Sequence, residues 1–443
     1  MRQGLLLVLA GLLSACGGST NFPTPTGKGT VRAINAITDG PEIAFYIEER
    51  FQESINFKSG GGSTQWDDFE YTFNFEANFF DQAESVRIAS PLLKIDAERD
   101  YTLVVTGDVA NPSVTIWEQA ERVFDGTETV FELRFANLSP SAGSVDVYFA
   151  APGTPPVLGE QQGTISFGEI IDAADFAEGE YVLTVTAAGN PADVLFQSTD
   201  STFVPGNASI AILFDGDALD TSPFDVRVLN TLGGGGQLAD ARFGPTVRFI
   251  QASITLPAAD IYNDDTLTNV LLANHQFGDV SDNFEFVIGT TPLNYTPAGN
   301  PGAILEESGI TAAAGTRYNF VMVGNDDDRI GAEYVPNLRS VSTEARVEVY
   351  HAADNHPAVD IYLVPRGDTF TIDDRIVNGL DFAFRTVLRR DAGSFDIYLT
   401  PEDEDTIIAG PLELDAVLGD VFEVFVFDTV DPATAELRVL PSL

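Results

Sequence analysis

The sequence predicts an all-β chain: four tandem antiparallel β-sandwich domains of the immunoglobulin-like kind, set behind an export signal. Three observations lead there. One cluster of residues returns four times at domain-sized intervals. Apolar residues alternate with polar ones, or form short runs rich in branched and aromatic side chains, as strands do. No segment carries an amphipathic helical period of useful length, and turn residues separate the runs.

The N-terminal element comes first. Met1-Arg2-Gln3 is short and positive, and Leu5 to Leu13 is apolar, with Ala10 and Gly11 as its small members. That run falls far short of the ~20 residues that span a bilayer as a helix, so it reads as a secretory signal. Leu13-Ser14-Ala15-Cys16 follows: a branched apolar residue, two small residues and the single Cys of the chain. This resembles the bacterial lipobox. The resemblance implies a lipoprotein signal peptide over 1–15, cleavage before Cys16, a diacylglycerol on its thiol and an acylated (palmitate) N-terminus. It further implies a lipid-anchored protein of the cell envelope, with the membrane as a partner through Cys16. Acyl chains contribute about 0.8 kcal/mol per buried CH₂, and two or three anchor stably where one holds marginally. Gly17, and not Asp, follows the Cys; in Gram-negative lipoproteins this points to the outer membrane. Residues 16–29 are rich in Gly and Pro and are expected to be a flexible tether. With one Cys there is no internal disulfide, so the domains rely on their cores.

The repeats come next. Val31-Arg32-Ala33-Ile34-Asn35-Ala36 leads to Phe45-Tyr46; Leu133-Arg134-Phe135-Ala136-Asn137 leads to Asp146-Val147-Tyr148. Val247-Arg248-Phe249-Ile250-Gln251-Ala252 leads to Asp260-Ile261-Tyr262, and Val347-Glu348-Val349-Tyr350-His351-Ala352 to Asp360-Ile361-Tyr362. Each unit then has a buried-strand run: Tyr101–Val105, Ser209–Leu213, Tyr318–Met322 and Phe422–Val426. A closing block brings Arg122, Arg227, Arg339 and Arg438 at nearly constant distance from the Tyr. Ala188-Gly189-Asn190-Pro191 and Ala298-Gly299-Asn300-Pro301 are matching turns. These landmarks place the units at 30–127, 128–232, 244–342 and 343–443, with 233–243 as a Gly-rich linker around Gly233-Gly234-Gly235-Gly236. Units 1 with 2 and 3 with 4 are expected as stiffer pairs joined there by a hinge.

Together the landmarks resemble a family of exported bacterial domains known as domain of unknown function 4397. Its pattern opens with an Arg-containing strand ending in Asn/His-Ala, followed by Asp-Val-Tyr and an Ala-Gly-Ser-Tyr/Phe hairpin. Unit 4 matches best, through His351-Ala352, Asp360-Ile361-Tyr362 and Ala392-Gly393-Ser394-Phe395, and unit 1 least, since Ala44 stands where the Asp belongs. The resemblance covers nearly all of 30–443. It implies a fold and supplies no catalytic or binding residues.

Composition narrows the function. With 67 acidic and 23 basic residues the net charge is −44, which repels nucleic acid and anionic lipid; no nucleic-acid partner is expected. No Gly-x-Ser-x-Gly is present, and the three His are His275, His351 and His356. His351 occupies the position of Asn35, Asn137 and Gln251, as a hydrogen-bonding strand residue would. No catalytic residue, metal or cofactor is therefore assigned. His356 lacks a third ligand for zinc, and the acidic turns Asp215-Gly216-Asp217, Asn325–Asp328 and Glu402–Asp405 read as solvated ends of strands, with calcium as the alternative. The recurring Arg residues are expected to bridge the closing strand to Asp146, Asp260 and Asp360. The reading is a non-enzymatic envelope lipoprotein presenting sandwich modules for binding, adhesion or spacing to an unknown protein or glycan partner. Its alternatives are a glycan binder using Trp66, Trp117 and the Phe69–Phe75 strand, and, more remotely, a hydrolase.

Overall fold

A computed structural model describes residues 23–80, 82–218, 220–231, 233–326 and 328–441. The signal peptide, Cys16, the first part of the tether and Asp327 lie outside the described residues. The described chain is all strand and turn apart from one 3₁₀ turn at Ile372–Asp374. Among these residues eight sheets pair into four sandwiches.

All four units share one plan. The opening strands are Lys28–Ile37, Val130–Asn137, Thr246–Gln251 and Ala345–His351. Each lies inside a first sheet beside a return strand: Arg99–Asp108, Ala208–Asp215, Arg317–Val323 or Val421–Asp428. This central pair is parallel in every unit, with Arg32 beside Thr102, Arg134 beside Ile210, Arg248 beside Asn319 and Glu348 beside Glu423. The remaining pairings are antiparallel, so each unit departs from a wholly antiparallel sandwich at one place. The cause is topological. The second sheet intervenes between the two strands and acts as the crossover that a parallel pair requires. In unit 4 that second sheet runs Val377–Asp381, Ala358–Pro365, Gly393–Pro401, Ala409–Ala416.

Period-two alternation sends Val31, Ala33 and Ile37 into the core of unit 1 and Arg32, Ile34 and Ala36 to the other face. That other face is covered too. Ile34, Ala36, Val104 and Trp117 pack against Ala136, Ile210, Ile212 and Phe214 of unit 2. Ile250, Val321 and Val323 of unit 3 pack likewise against Tyr350, Phe425 and Phe427 of unit 4. The first sheets thus meet back to back, and the opening strands are buried almost end to end. Two-sided burial is why apolar residues fall on both faces of these strands.

The Gly-rich segment is part of this packing. Gly235–Leu238 is an edge strand on Phe224–Asn230 of unit 2. A Cβ on Gly235 would sit 2.1 Å from the Val228 carbonyl oxygen, so only glycine fits. Gly233, at φ +94°, lies against Gly62 of unit 1. These glycines therefore let backbones approach, and within the expected linker and hinge at 233–243 residues Gly235–Leu238 form a strand. The pairs also touch each other. Arg339 donates to the carbonyls of Ile37, Thr38 and Gly40 at 3.3, 3.3 and 2.5 Å, with its guanidinium 4.2 Å over the Phe57 ring. Arg317 Nε donates to the Asp220 carbonyl at 3.1 Å.

Candidate functional site

The shared polar residues of the repeat hold backbone. At the end of each opening strand one side chain accepts from the amide two residues on: Asn35 from Ile37 (3.1 Å), Asn137 from Ser139 (2.9 Å), Gln251 from Ser253 (3.1 Å) and His351 from Ala353 (3.4 Å). His351 Nε2 donates to the His356 carbonyl at 2.7 Å. Both ring nitrogens are then occupied in the neutral form, and burial pushes the His351 pKa down to about 4. The hydrogen-bonding role expected of this position is the one observed.

The recurrent Asp ties turns to the second sheet. Asp146 accepts from Gly189 N and Asp260 from Gly299 N, both at 2.7 Å, which explains the twin Ala-Gly-Asn-Pro turns. Asp360 accepts from Gly379 N at 2.8 Å and Asp403 N at 3.1 Å. The expected bridge from the closing Arg residues to these Asp residues is not formed. Instead Arg122 reaches Glu132 and Asp175 of unit 2, Arg227 pairs with Asp225 beside it, Arg339 reaches unit 1, and Arg438 donates to the Gly278 carbonyl of unit 3 at 2.7 Å. Three of the four lie between units: Arg122 and Arg339 in the connections and Arg438 on an edge strand, from where a long planar fork reaches the neighbouring unit.

The opening Arg residues behave differently in the two pairs. Arg248 is buried at the unit 3–unit 4 seam. Its Nε donates to Asn319 Oδ1 (3.0 Å), its Nη1 to the Pro441 carbonyl (3.0 Å) and its Nη2 to Glu423. Glu423 also accepts from the Tyr334 hydroxyl at 2.9 Å, and Glu348 pairs with Arg385. Charge is balanced inside the seam.

The unit 1–unit 2 seam repeats this geometry without the carboxylate. Arg32 Nε donates to Thr102 Oγ1 (3.1 Å) and Nη1 to the Asn230 carbonyl (2.9 Å), just as Arg248 does with Asn319 and Pro441. The place of Glu423 is taken by Ile210 and that of Glu348 by Arg134. Arg134 is 6% exposed, donates through Nε to the Ile171 carbonyl, and has no protein partner for its two terminal amino groups among the described residues. Arg32 is 3% exposed and likewise makes no salt bridge among the described residues. Burial lowers the Arg32 pKa to about 10, opposed by Asp100 and reinforced by Arg134; burial also lowers that of Arg134. Both guanidiniums line a cleft of about 560 Å³ between the units. Its walls carry Thr30, Ser63, Gln65, Gln119, Asn207 and Ser209. Three carboxylates also line it: Glu132 holds Arg122, Asp100 accepts from the Thr30 hydroxyl, and Glu121 stands at the wall.

Other sequence candidates find structural employment. Phe73 and Phe75 are core, and the half-buried Trp66 and Tyr71 pack on that core. Trp117 is 4% exposed in the seam and donates to the Gly168 carbonyl at 3.0 Å. The acidic turns are not merely solvated. Asp217 and Asp220, with Asp225, surround the buried Lys58 ammonium at 3.4, 3.4 and 3.1 Å; Asp326 pairs with Arg329, and Asp403 with Arg375. His275 is buried, and burial lowers its pKa. Among the described residues no group of three or more His, Cys, Asp or Glu is arranged to hold a metal ion.

The model of the family described as Domain of unknown function (DUF4397) matches residues 29–148 and 245–362, more than half of the chain. The chain belongs to this family. Each DUF4397 match begins at the opening strand of an odd-numbered unit and ends at the Tyr of the next, Tyr148 or Tyr362. Among solved structures the chain is similar to "The Bacillus anthracis TIE protein", at 11% identity and a TM-score of 0.16, over 92% of this chain and 69% of that one. No curated protein matches.

Proposed function

We propose that this DUF4397 chain is a non-enzymatic protein of the cell envelope, lipid-anchored through Cys16, whose paired sandwiches form a stiff module for binding, adhesion or spacing at the outer membrane. The observation that carries the reading is the use of the shared polar residues. Arg, Asn or His, and Asp of the repeat hold turns and neighbouring units, which is the work of a scaffold. The lipobox-like Leu13-Ser14-Ala15-Cys16 and the Gly/Pro tether support attachment at a distance from the bilayer. The net charge of −44 suits a module that stands clear of anionic surfaces.

The test is fractionation of expressing cells fed a radiolabelled palmitate. The wild-type protein is expected to take up label and sediment with outer membrane, and Cys16→Ala to lose label and appear in the soluble fraction. A Cys16→Ala protein that stays with the membrane, or a wild type that takes up no label, overturns the anchoring.

A further inference from the structure

We propose that the cleft between units 1 and 2 is a binding site for a carboxylate-bearing saccharide, its acid group seated between the Arg32 and Arg134 guanidiniums. A buried charge without a partner is strongly unfavourable, and proteins pair such groups or leave them reachable by a counter-ion. Arg32 and Arg134 are both more than nine-tenths buried, and neither has a salt-bridge partner among the described residues. Three of their four terminal amino groups are left unbonded by the protein, and both side chains line the same cavity.

The other seam shows which group belongs there. Nε and Nη1 of Arg32 and of Arg248 make the same two bonds to corresponding partners. The third bond of Arg248 goes to the Glu423 carboxylate; Ile210 at the corresponding place offers Arg32 nothing. Units 3 and 4 carry their own acid, and units 1 and 2 leave its seat to a ligand. A planar carboxylate fits because that is what guanidinium forks hold bidentately.

The walls indicate what the acid is attached to. Hydroxyl and amide side chains stand beside an apolar strip of Val123, Phe124 and Ile210, a mixture that suits a saccharide with its hydroxyl edges and apolar ring faces. Glu121 and Asp100 add acceptors for sugar hydroxyls, and Arg122 stacks 4.8 Å over Phe124 to give the cleft a flat wall. A volume of about 560 Å³ lies in the range of ordinary small-ligand sites. The strongly negative chain repels free anions at long range, so binding depends on this local seat.

Calorimetry on the full-length mature protein in detergent tests the proposal, with trigalacturonate as probe, maltotriose as the neutral control, and triglutamate and inorganic sulfate as competing anions. Saturable binding of trigalacturonate without maltotriose binding is expected, weakened at least tenfold by Arg134→Gln. Ile210→Glu, which installs the carboxylate found in the other seam, is expected to abolish it. Melting curves check that each variant is folded, and Arg32→Gln replaces Arg134→Gln if that protein does not fold. Absence of trigalacturonate binding, equal binding by folded Ile210→Glu protein, or preference for triglutamate or sulfate overturns the proposal. None of these results bears on membrane anchoring through Cys16, which fractionation tests separately.

Discussion

The two seams are built on one geometry and diverge in a single layer. Between units 3 and 4 the opening Arg248 is closed off by Asn319, Pro441 and Glu423, and Glu348 by Arg385. Between units 1 and 2 the first two bonds persist through Thr102 and Asn230, while Ile210 and Arg134 replace the acids. Both seams are apolar around this layer, with Trp117 and Phe214 in one and Tyr350, Phe425 and Phe427 in the other. A cavity of about 560 Å³ borders each, so the difference is one of charge: one seam neutralises its Arg within the protein, and the other keeps two guanidiniums in reserve. A duplicated scaffold can thus acquire a site by losing a neutralising residue, with no change of fold.

The comparison can be broken most directly at Glu423. Glu423→Ala strands the buried Arg248 without its acid and is expected to cost about 3–5 kcal/mol, seen as lost hydrogen-exchange protection on the opening strands of units 3 and 4. Arg32→Ala removes no ion pair and should disturb units 1 and 2 less; equal losses would erase the distinction between the seams. Acid provides the next largest contrast. His351 ionises near 6.5 when unfolded and about 4 when folded, so the unfolded chain binds the proton first. Stability is therefore full above pH 6.5 and falls as pH drops toward 4, by on the order of 3 kcal/mol. His275 adds in the same direction. Units 1 and 2 hold Asn35 and Asn137 at the His351 position and should lack this sensitivity, and His351→Asn should remove most of it from unit 4. Acid titration followed by hydrogen exchange reads both halves at once.

Smaller effects sharpen the picture of the junctions. Gly235→Ala drives a methyl into the Val228 carbonyl and is expected to release the edge strand at a cost of about 1–3 kcal/mol. A flexible linker at that place would tolerate the change, so an unchanged melting temperature would restore the hinge. Arg438→Ala removes a bond to Gly278 and a stacking contact 4.8 Å over Phe427, for about 1 kcal/mol in the calorimetric melting of units 3 and 4.

What was legible in the chain follows from the range of each interaction. Strands announced themselves locally: Ser209–Leu213 is an apolar run bounded by turns, and it lies within the strand Ala208–Asp215. The role of His351 could be read from its alignment with Asn35, Asn137 and Gln251. The Asp146 and Gly189 partners were each visible as landmarks, yet nothing local joins them. The Arg contacts were out of reach for the same reason. Arg32 meets Asn230, Arg248 meets Pro441 and Arg339 meets Gly40, and such sequence separations leave no spacing to read. A run of four glycines looks the same whether it frees a hinge or admits a neighbouring backbone, and only Gly62 and Val228 decide between them. The cleft was invisible because its defining property is a missing acid, recognisable only when Ile210 is set beside Glu423.

Burial of the opening strands on both faces has a consequence for descent. A solitary unit would present Ile34 and Val104, or Phe425 and Phe427, to water as an adhesive sheet. A gene that lengthens or shortens by one unit leaves such an orphan, whereas one that changes by two keeps every sheet covered. Selection for solubility then makes the couple, and not the single sandwich, the heritable building block.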